Sequence, residues 1–317
     1  MSTFTVTIIG TGVIGTSLGL ALKQSQEPMR VLGHDKDLLY AKAGVKQGAF
    51  DRAEWNLVNA CEQADLIILA IPLDGIRATL EAIASYLKEG AVVTDTATSK
   101  APVLAWAKEL LPPHAFFVGG NPIVQPVGSG HEHAAADLFR QKLYCLTPAP
   151  TADERAVQSM IGLVGLIGAN PFFVDAAEHD GLVTAVSHLP ALLSVSLVKT
   201  LAKQNSWREI RKLAGGLFAQ MSAAASGDPD ALKEELLNNR QNLVRWLDVY
   251  QAQLQTLRTL LTQDGSDEAL AEWLDQAIVE RQNWLTDYQQ GRFIDPELKS
   301  PEIERRGLMK QLIGIGR

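Results

Sequence analysis

The first fifteen residues constrain this chain more than any other stretch. Phe4-Thr5-Val6-Thr7-Ile8-Ile9 is a short apolar run rich in β-branched residues, and it leads directly into Gly10-Thr11-Gly12-Val13-Ile14-Gly15. An apolar helical pattern follows from Ser17 to Leu22. A strand, a glycine turn and a helix in that order make the dinucleotide-binding fingerprint. Gly10 permits the tight turn, Gly12 puts no side chain in the path of a pyrophosphate, and Gly15 lets the helix lie close to the sheet. Val13 and Ile14 open that helix, whose unpaired N–H groups and positive end suit phosphate oxygens. Asp35 stands twenty positions after Gly15, at the end of a second run, Arg30-Val31-Leu32-Gly33-His34. A carboxylate there accepts the ribose hydroxyls of NAD and repels the extra phosphate of NADP. The adjacent Lys36 softens that repulsion, so NAD is the expected cofactor and NADP the alternative.

The first half continues to alternate strands and helices. Leu66 to Pro72 reads as a buried parallel strand, stopped by Pro72, which is placed beside the cofactor. Further strands are expected at Ala91–Asp95, Ala115–Val118, Lys142–Leu146 and Pro171–Val174, with a helix from Asp153 to Ile167. Near-continuous apolar runs mark strands covered on both faces. The expected fold is therefore α/β, a doubly wound parallel Rossmann sheet over residues 1–175. From Ala176 the pattern turns helical, at about 177–204, 206–222, 229–263, 266–290 and 301–313. Residues 176–317 are expected to form an all-helical substrate and dimerisation domain. Its tail, 296–317, could dock on the dimer through Met309, Leu312 and Ile313. Leu237, Leu243, Trp246, Leu247, Tyr250, Leu254 and Leu257 recur at helical spacing, the mark of core or dimer interface.

At 317 residues the chain is long enough for two cores. A net charge of -7 with no basic cluster argues against nucleic acid. Cys61 and Cys145 lie far apart in apolar contexts and read as buried thiols of a reducing compartment. The first strand begins too early for a signal peptide, and Gly181–Val198 holds Ser187, His188 and Pro190, which makes it too polar to span a membrane. A cytoplasmic protein is expected. His131-Glu132-His133 lies on a loop with no further ligand at metal-like spacing, so no metal is expected.

Beyond the fingerprint, polar residues gather where strands end. Asp95-x-x-Thr98-x-Lys100 follows the fourth strand. Gly119-Gly120-Asn121-Pro122 and Gly128-x-Gly130, then Leu138-Phe139, follow the fifth. His179-Asp180 and Ser187-His188-Leu189-Pro190 occur on the first helix of the second half. This ordered set resembles the prephenate/arogenate dehydrogenases of tyrosine biosynthesis, over about residues 4 to 260. The resemblance implies a homodimer through the helical domain and NAD-dependent oxidative decarboxylation of a cyclohexadienol. In that reaction hydride leaves a ring carbon for the nicotinamide, the hydroxyl proton passes to a base, and loss of the ring carboxylate gives the aromatic product.

Three departures from the family pattern bear on the site. The family's histidine before the proline is Asn121 here, which hydrogen-bonds a hydroxyl but is no general base near neutral pH. The family's serine after strand four is Thr98. The family's arginine stretch beyond Ser-His-Leu-Pro is replaced by Phe218–Gly227, which has no arginine. The expected reacting-ring residues are therefore Thr98, Asn121 and His188, with His188 the best remaining proton acceptor. Lys100, Ser187, Arg211 and Arg240 are the substrate-binding candidates, with Arg208 a further cation. His179 is expected to be structural, pairing with Asp180 or a backbone carbonyl. Two other readings remain: an oxidoreductase of the same plan acting on an amino-prephenate analogue, hydroxy acid or imine, and a non-catalytic nucleotide-binding dimer.

Overall fold

The computed structural model describes residues 3–128, 130–149, 152–226 and 228–293. The described residues divide into a unit ending at His179 and a unit spanning Asp180–Phe293. The expected dock of the 296–317 tail lies outside the described residues.

The first unit is built on an eight-stranded sheet. Its strands are β1 (Phe4–Ile9), β2 (Met29–His34), β3 (Arg52–Ala53), β4 (Leu66–Leu69), β5 (Val92–Asp95), β6 (Phe116–Pro122), β7 (Leu143–Pro148) and β8 (Asn170–Phe173), in the order β3-β2-β1-β4-β5-β6-β7-β8. Helices α1 (Val13–Gln24), α2 (Leu38–Lys46), α3 (Leu57–Cys61), α4 (Leu73–Ile83), α5 (Ala101–Leu110) and α6 (Glu154–Leu166) lie between them. The order reverses at β1, so the turn after β1 and the end of β4 flank the switch point where such sheets bind ligands. Alternate residues of β4 point into two cores. Leu66 and Ile68 pack with Val6, Ile8, Leu18 and Leu22, whereas Ile67 and Leu69 pack with Ile76, Leu80 and Val93. Each such burial contributes about 1.5–3 kcal/mol, which is why the run is apolar at every position.

Several details of the sheet differ from the sequence-based expectation. β6 does not stop at Val118 but runs on through Gly119–Pro122, which pair with β7. β3 is an added two-residue strand, too short to show a period. β4 ends at Leu69, because Ala70 and Ile71 leave the ladder to back the glycine turn. β7 runs antiparallel to β6, pairing Val118 with Pro148 through to Pro122 with Tyr144. Among the described residues the connection between them holds a single 3-10 turn, His131–His133, and no α-helix to carry the chain across a face.

In the second unit the expected helix over 206–222 is two, α9 (Trp207–Leu213) and α10 (Gly216–Met221), parted at Ala214-Gly215. The expected 229–263 helix is likewise two, α11 (Pro229–Asn238) and α12 (Arg240–Thr262), parted at Asn239. α7 (Ala176–Val183), which begins in the first unit, and α8 (Leu189–Ala202) run as one helix interrupted by a π-turn at Thr184–His188. The last helix is α13 (Asp267–Gln290). Asn239 links the break to the π-turn. Its Nδ2 donates to Asp180 O (2.9 Å) and Thr184 Oγ1 (2.6 Å), while Trp246 Nε1 donates to Gly181 O (3.0 Å). The side chains of Asn239, just before α12, and of Trp246, on α12, thus take carbonyls that a regular helix would keep for itself.

The expectation about membrane polarity needs correction. Ala176–Ala202 has a mean hydropathy of 1.7 over its best window and is long and apolar enough to cross a membrane. Its polar residues Asp180, Thr184, His188 and Ser194 are nevertheless buried, as in a helix packed among others. Along α12 and α13, Val244, Val249, Tyr250, Leu254, Leu274, Ile278, Trp284 and Tyr288 remain exposed in the single chain.

Candidate active site

The glycine turn after β1 is held from several sides. Gly10 N–H donates to His34 O (2.8 Å), and Gly10 sits at φ +90° with Ala70 O 2.3 Å from where a Cβ would lie. A Cβ on Gly15 would lie 1.9 Å from Gly10 O, so turn and helix touch backbone to backbone. Gly12 is different. It is exposed, and nothing lies within 4 Å of its would-be Cβ. It is the N-cap of α1 and brings no side-chain acceptor to the first-turn N–H groups. Val13 and Ile14, half-buried, form that first turn. An open, positively polarised helix end with room above Gly12 is the shape a pyrophosphate needs.

Asp35 stands beside this turn. Its Oδ2 accepts from Thr11 N (2.7 Å) and Thr11 Oγ1 (3.0 Å), and its Oδ1 accepts from Asp37 N (3.0 Å). Thr11 is buried, and its carbonyl accepts from Thr16 Oγ1 (2.8 Å). The carboxylate is therefore held by three donors, and Oδ1 keeps the acceptor capacity that a ribose hydroxyl would use. Pro72 is exposed at the N-terminus of α4, just past the Ala70-Ile71 backing of Gly10.

A second cluster forms where β5 and β6 end. Asp95 and Lys100 are both fully buried and ion-paired. Lys100 Nζ also donates to Gly120 O (2.6 Å), and Asp95 Oδ1 accepts from Gly120 N (3.1 Å) and Oδ2 from Ala97 N (3.0 Å). Lys100, expected to meet a substrate carboxylate, is instead turned into the interior, where a buried Asp95 demands a cation. The pair clamps both backbone groups of Gly120 and so fixes the position of Asn121. Gly119 and Gly120 leave no room for side chains, since a Cβ would meet Thr147 Oγ1 at 2.2 Å or Asp95 O at 2.7 Å. Thr98 is half-buried in the loop between Asp95 and Lys100. Tyr144, opposite Pro122, is wholly buried, and burial with Asp95 nearby pushes its phenol well above the usual range.

Asn121 is 4% exposed and His179 1% exposed, and Asn121 Nδ2 lies 3.0 Å from His179 Nε2. Beside the expected pairing with Asp180 or a carbonyl, the side chain of Asn121 is a partner of His179 that the sequence did not suggest. Composition gives no signal for this contact, because the partners are 58 residues apart.

In the helical unit His188 is buried at the end of the π-turn, while the neighbouring Ser187 is exposed on another face. Arg208, Arg211 and Arg240 are exposed. The arginine beside the first helix is one the sequence did not single out: Arg245, 5.1 Å over the Trp246 ring and 3.8 Å from a would-be Cβ on Gly181. In the loop bearing His131-Glu132-His133, the His131 ring packs against Tyr40 (5.6 Å), and Gln47 Nε2 donates to His131 O (3.3 Å).

Comparison with known proteins adds to this geometry. Residues 18–172 match the family model for the prephenate dehydrogenase nucleotide-binding domain, and residues 175–276 match that for the prephenate dehydrogenase dimerization domain. A prephenate dehydrogenase of Bacillus subtilis is 30% identical over 267 residues, 83% of this chain and 71% of that protein. The structure of A. aeolicus prephenate dehydrogenase with hydroxyphenyl propionate and NAD+ is similar, with a TM-score of 0.82 and 25% identity, over 89% of this chain and 99% of that one. Synechocystis arogenate dehydrogenase is also similar, with a TM-score of 0.75 and 25% identity, over 89% of this chain and 100% of that one. With both domains matched in order and a relative of this identity along most of its length, the chain belongs to the prephenate dehydrogenase family.

Proposed function

We propose that this protein is an NAD-dependent dehydrogenase that oxidatively decarboxylates prephenate or arogenate, working as a homodimer in the cytoplasm. The observation that carries the reading is the open helix end at Gly12 beside a fixed Asp35, in a chain of this family. Bound NAD supplies the hydride acceptor. Gly10, Gly12, Gly15 and the first turn of α1, with Val13 and Ile14, hold its pyrophosphate. Asp35 Oδ1 accepts a ribose hydroxyl, and Pro72 borders the site. Asn121 hydrogen-bonds the ring hydroxyl, Thr98 lies in the adjoining loop, and His188 accepts the hydroxyl proton. With Lys100 engaged by Asp95, a substrate carboxylate falls to an arginine of the helical unit, Arg211, Arg240 or Arg245, with Ser187 as a neutral donor. The exposed apolar faces of α12 and α13 support association of two copies.

A second reading, an amino-substituted prephenate analogue as substrate, is favoured by Asn121 standing where the family has a base. The test is NADH formation by the purified protein with prephenate and with arogenate, each with NAD and NADP. Turnover of either compound with NAD is expected. NAD binding without turnover of either would overturn the reading and direct the search to the analogues.

A further inference from the structure

On one side of the switch point three neighbouring strands end in a row. β1 runs into the glycine turn, β2 into Asp35, and β3 into Glu54-Trp55. In the ladder Leu32 faces Arg52 and Gly33 faces Ala53, and Glu54 N–H extends it by donating to Gly33 O (2.9 Å). Carried on by one more residue, this register brings Trp55 level with Asp35, about 4.8 Å away in strand spacing.

Trp55 is 69% exposed. Trp106, Trp207, Trp246 and Trp273 are half-buried, and Trp284 stacks on Tyr288. Among the described residues the indole of Trp55 makes no hydrogen bond and no ring contact. The residues on either side of it are nevertheless tied down. Glu54 is buried; its carbonyl accepts from His34 Nδ1 (2.9 Å), and its carboxylate from Arg52 Nη2 (2.6 Å) and Asn56 N (3.3 Å). Asn56 in turn caps α3, its Oδ1 accepting from Asn59 N (3.0 Å). The carbonyl of His34 is the one that holds Gly10 N–H, so a single residue braces both the glycine turn and the turn bearing Trp55. A fixed backbone thus holds a large flat apolar side chain out to solvent, beside a carboxylate suited to a ribose.

We infer that Trp55 covers the adenine ring of the bound cofactor. A dinucleotide carries pyrophosphate, ribose and adenine in that order. The chain presents the open helix end at Gly12, the Asp35 carboxylate and the Trp55 indole in the same order, across three adjacent strands. Adenine is flat and uncharged, so it is held by stacking on an aromatic face and not by an ion pair. The inference rests on the proposed use of NAD and extends that site from phosphate and ribose to the base. It assigns Trp55 to the adenosine half alone, so ADP-ribose, which lacks the nicotinamide, keeps the whole contact.

The test is calorimetric titration of the full chain with NAD and with ADP-ribose. Trp55→Ala is expected to raise the Kd of both ligands by the same factor, about 5- to 150-fold. Trp55→Phe keeps an aromatic face and should stay within about threefold of the wild type. In turnover the loss should fall in the KM for NAD and not in kcat, because the adenine is remote from the hydride. A second readout is tryptophan emission: ADP-ribose should quench it in the wild type, and the quench should be lost in Trp55→Phe. Wild-type affinity for ADP-ribose in Trp55→Ala, or a full quench surviving in Trp55→Phe, would overturn the inference while leaving the proposed function standing. Failure of the wild type to bind either ligand would sink the proposed function, and the inference with it.

Discussion

Replacing Gly12 by alanine separates binding from folding in a way that the neighbouring glycines do not allow. The new methyl meets nothing within 4 Å, and the backbone at φ -70° and ψ -162° is open to alanine. Alanine is a poorer N-cap than glycine, a cost of up to about 1 kcal/mol. The loss of unfolded-state freedom returns about 0.4–1 kcal/mol. The two nearly cancel, so Tm should move by less than about 2 °C. The methyl nevertheless occupies the space through which a phosphate reaches the N–H groups of α1. Losing one charge-assisted hydrogen bond there costs about 1.5–3 kcal/mol, or roughly 10- to 100-fold in the Kd for NAD. Gly15→Ala is the control, because its Cβ would sit 1.9 Å from Gly10 O and must force the turn off the helix. Overpacking of that kind costs about 3 kcal/mol, lowering Tm by about 6–12 °C. Calorimetric titration with NAD and thermal unfolding of both variants give the two numbers directly. Wild-type NAD affinity in Gly12→Ala would refute the path assigned to the pyrophosphate. A Tm loss in Gly12→Ala equal to that in Gly15→Ala would refute the claim that the space is open.

Two further outcomes follow from buried groups. Lys100→Met strands the Asp95 carboxylate in the interior and should cost about 3–5 kcal/mol in denaturant unfolding. The Asp95→Asn, Lys100→Met double variant should recover part of that loss, and a single-variant cost below about 1 kcal/mol would show that the pair is not the clamp described. Burial pushes the Cys61 thiol up to about 12 and the Cys145 thiol to about 11, from an ordinary value of 9.0. At pH 8 the thiolate fraction of Cys61 is then about one in ten thousand, and native protein should resist thiol reagents that label the unfolded chain at once. The native state keeps a proton that the unfolded chain sheds above pH 9.0, so this contribution to stability is present below that pH and is lost as pH rises toward about 12. Labelling of native protein at the rate of an exposed thiol would contradict the burial.

Much of the first unit was legible because its signals are local. Turn, helix start and Asp35 lie within 35 residues, and the strands that carry them are apolar at nearly every position. Direction is another matter. Leu143–Pro148 reads as a buried strand whichever way it runs, and only its partner shows that it is antiparallel. The breaks at Ala214-Gly215 and Asn239 were hidden because flanking residues keep a helical period on both sides. At the candidate site the residue types were readable and their partnerships were not. Lys100 looked like a free cation because Asp95 and Gly120 come to it only through the sheet. The contact of His179 with Asn121 was hidden because Asn121 is brought to it from 58 residues away. Arg245 sat unnoticed in a helical stripe until α12 packed on Gly181.

The π-turn at Thr184–His188 has a consequence for how such a chain can change over generations. A π-turn holds one residue more than the α-helical turn it replaces, and each α-helical residue turns the chain by about 100°. The wider turn takes up that extra residue within one full rotation, so loss of a single codon within it would restore a regular helix and leave the residues of α8 facing as they do now. Elsewhere in the helix the same loss would re-aim everything beyond it by about that angle. Descendants of this gene are expected to differ by one-residue gaps here sooner than elsewhere in the helix.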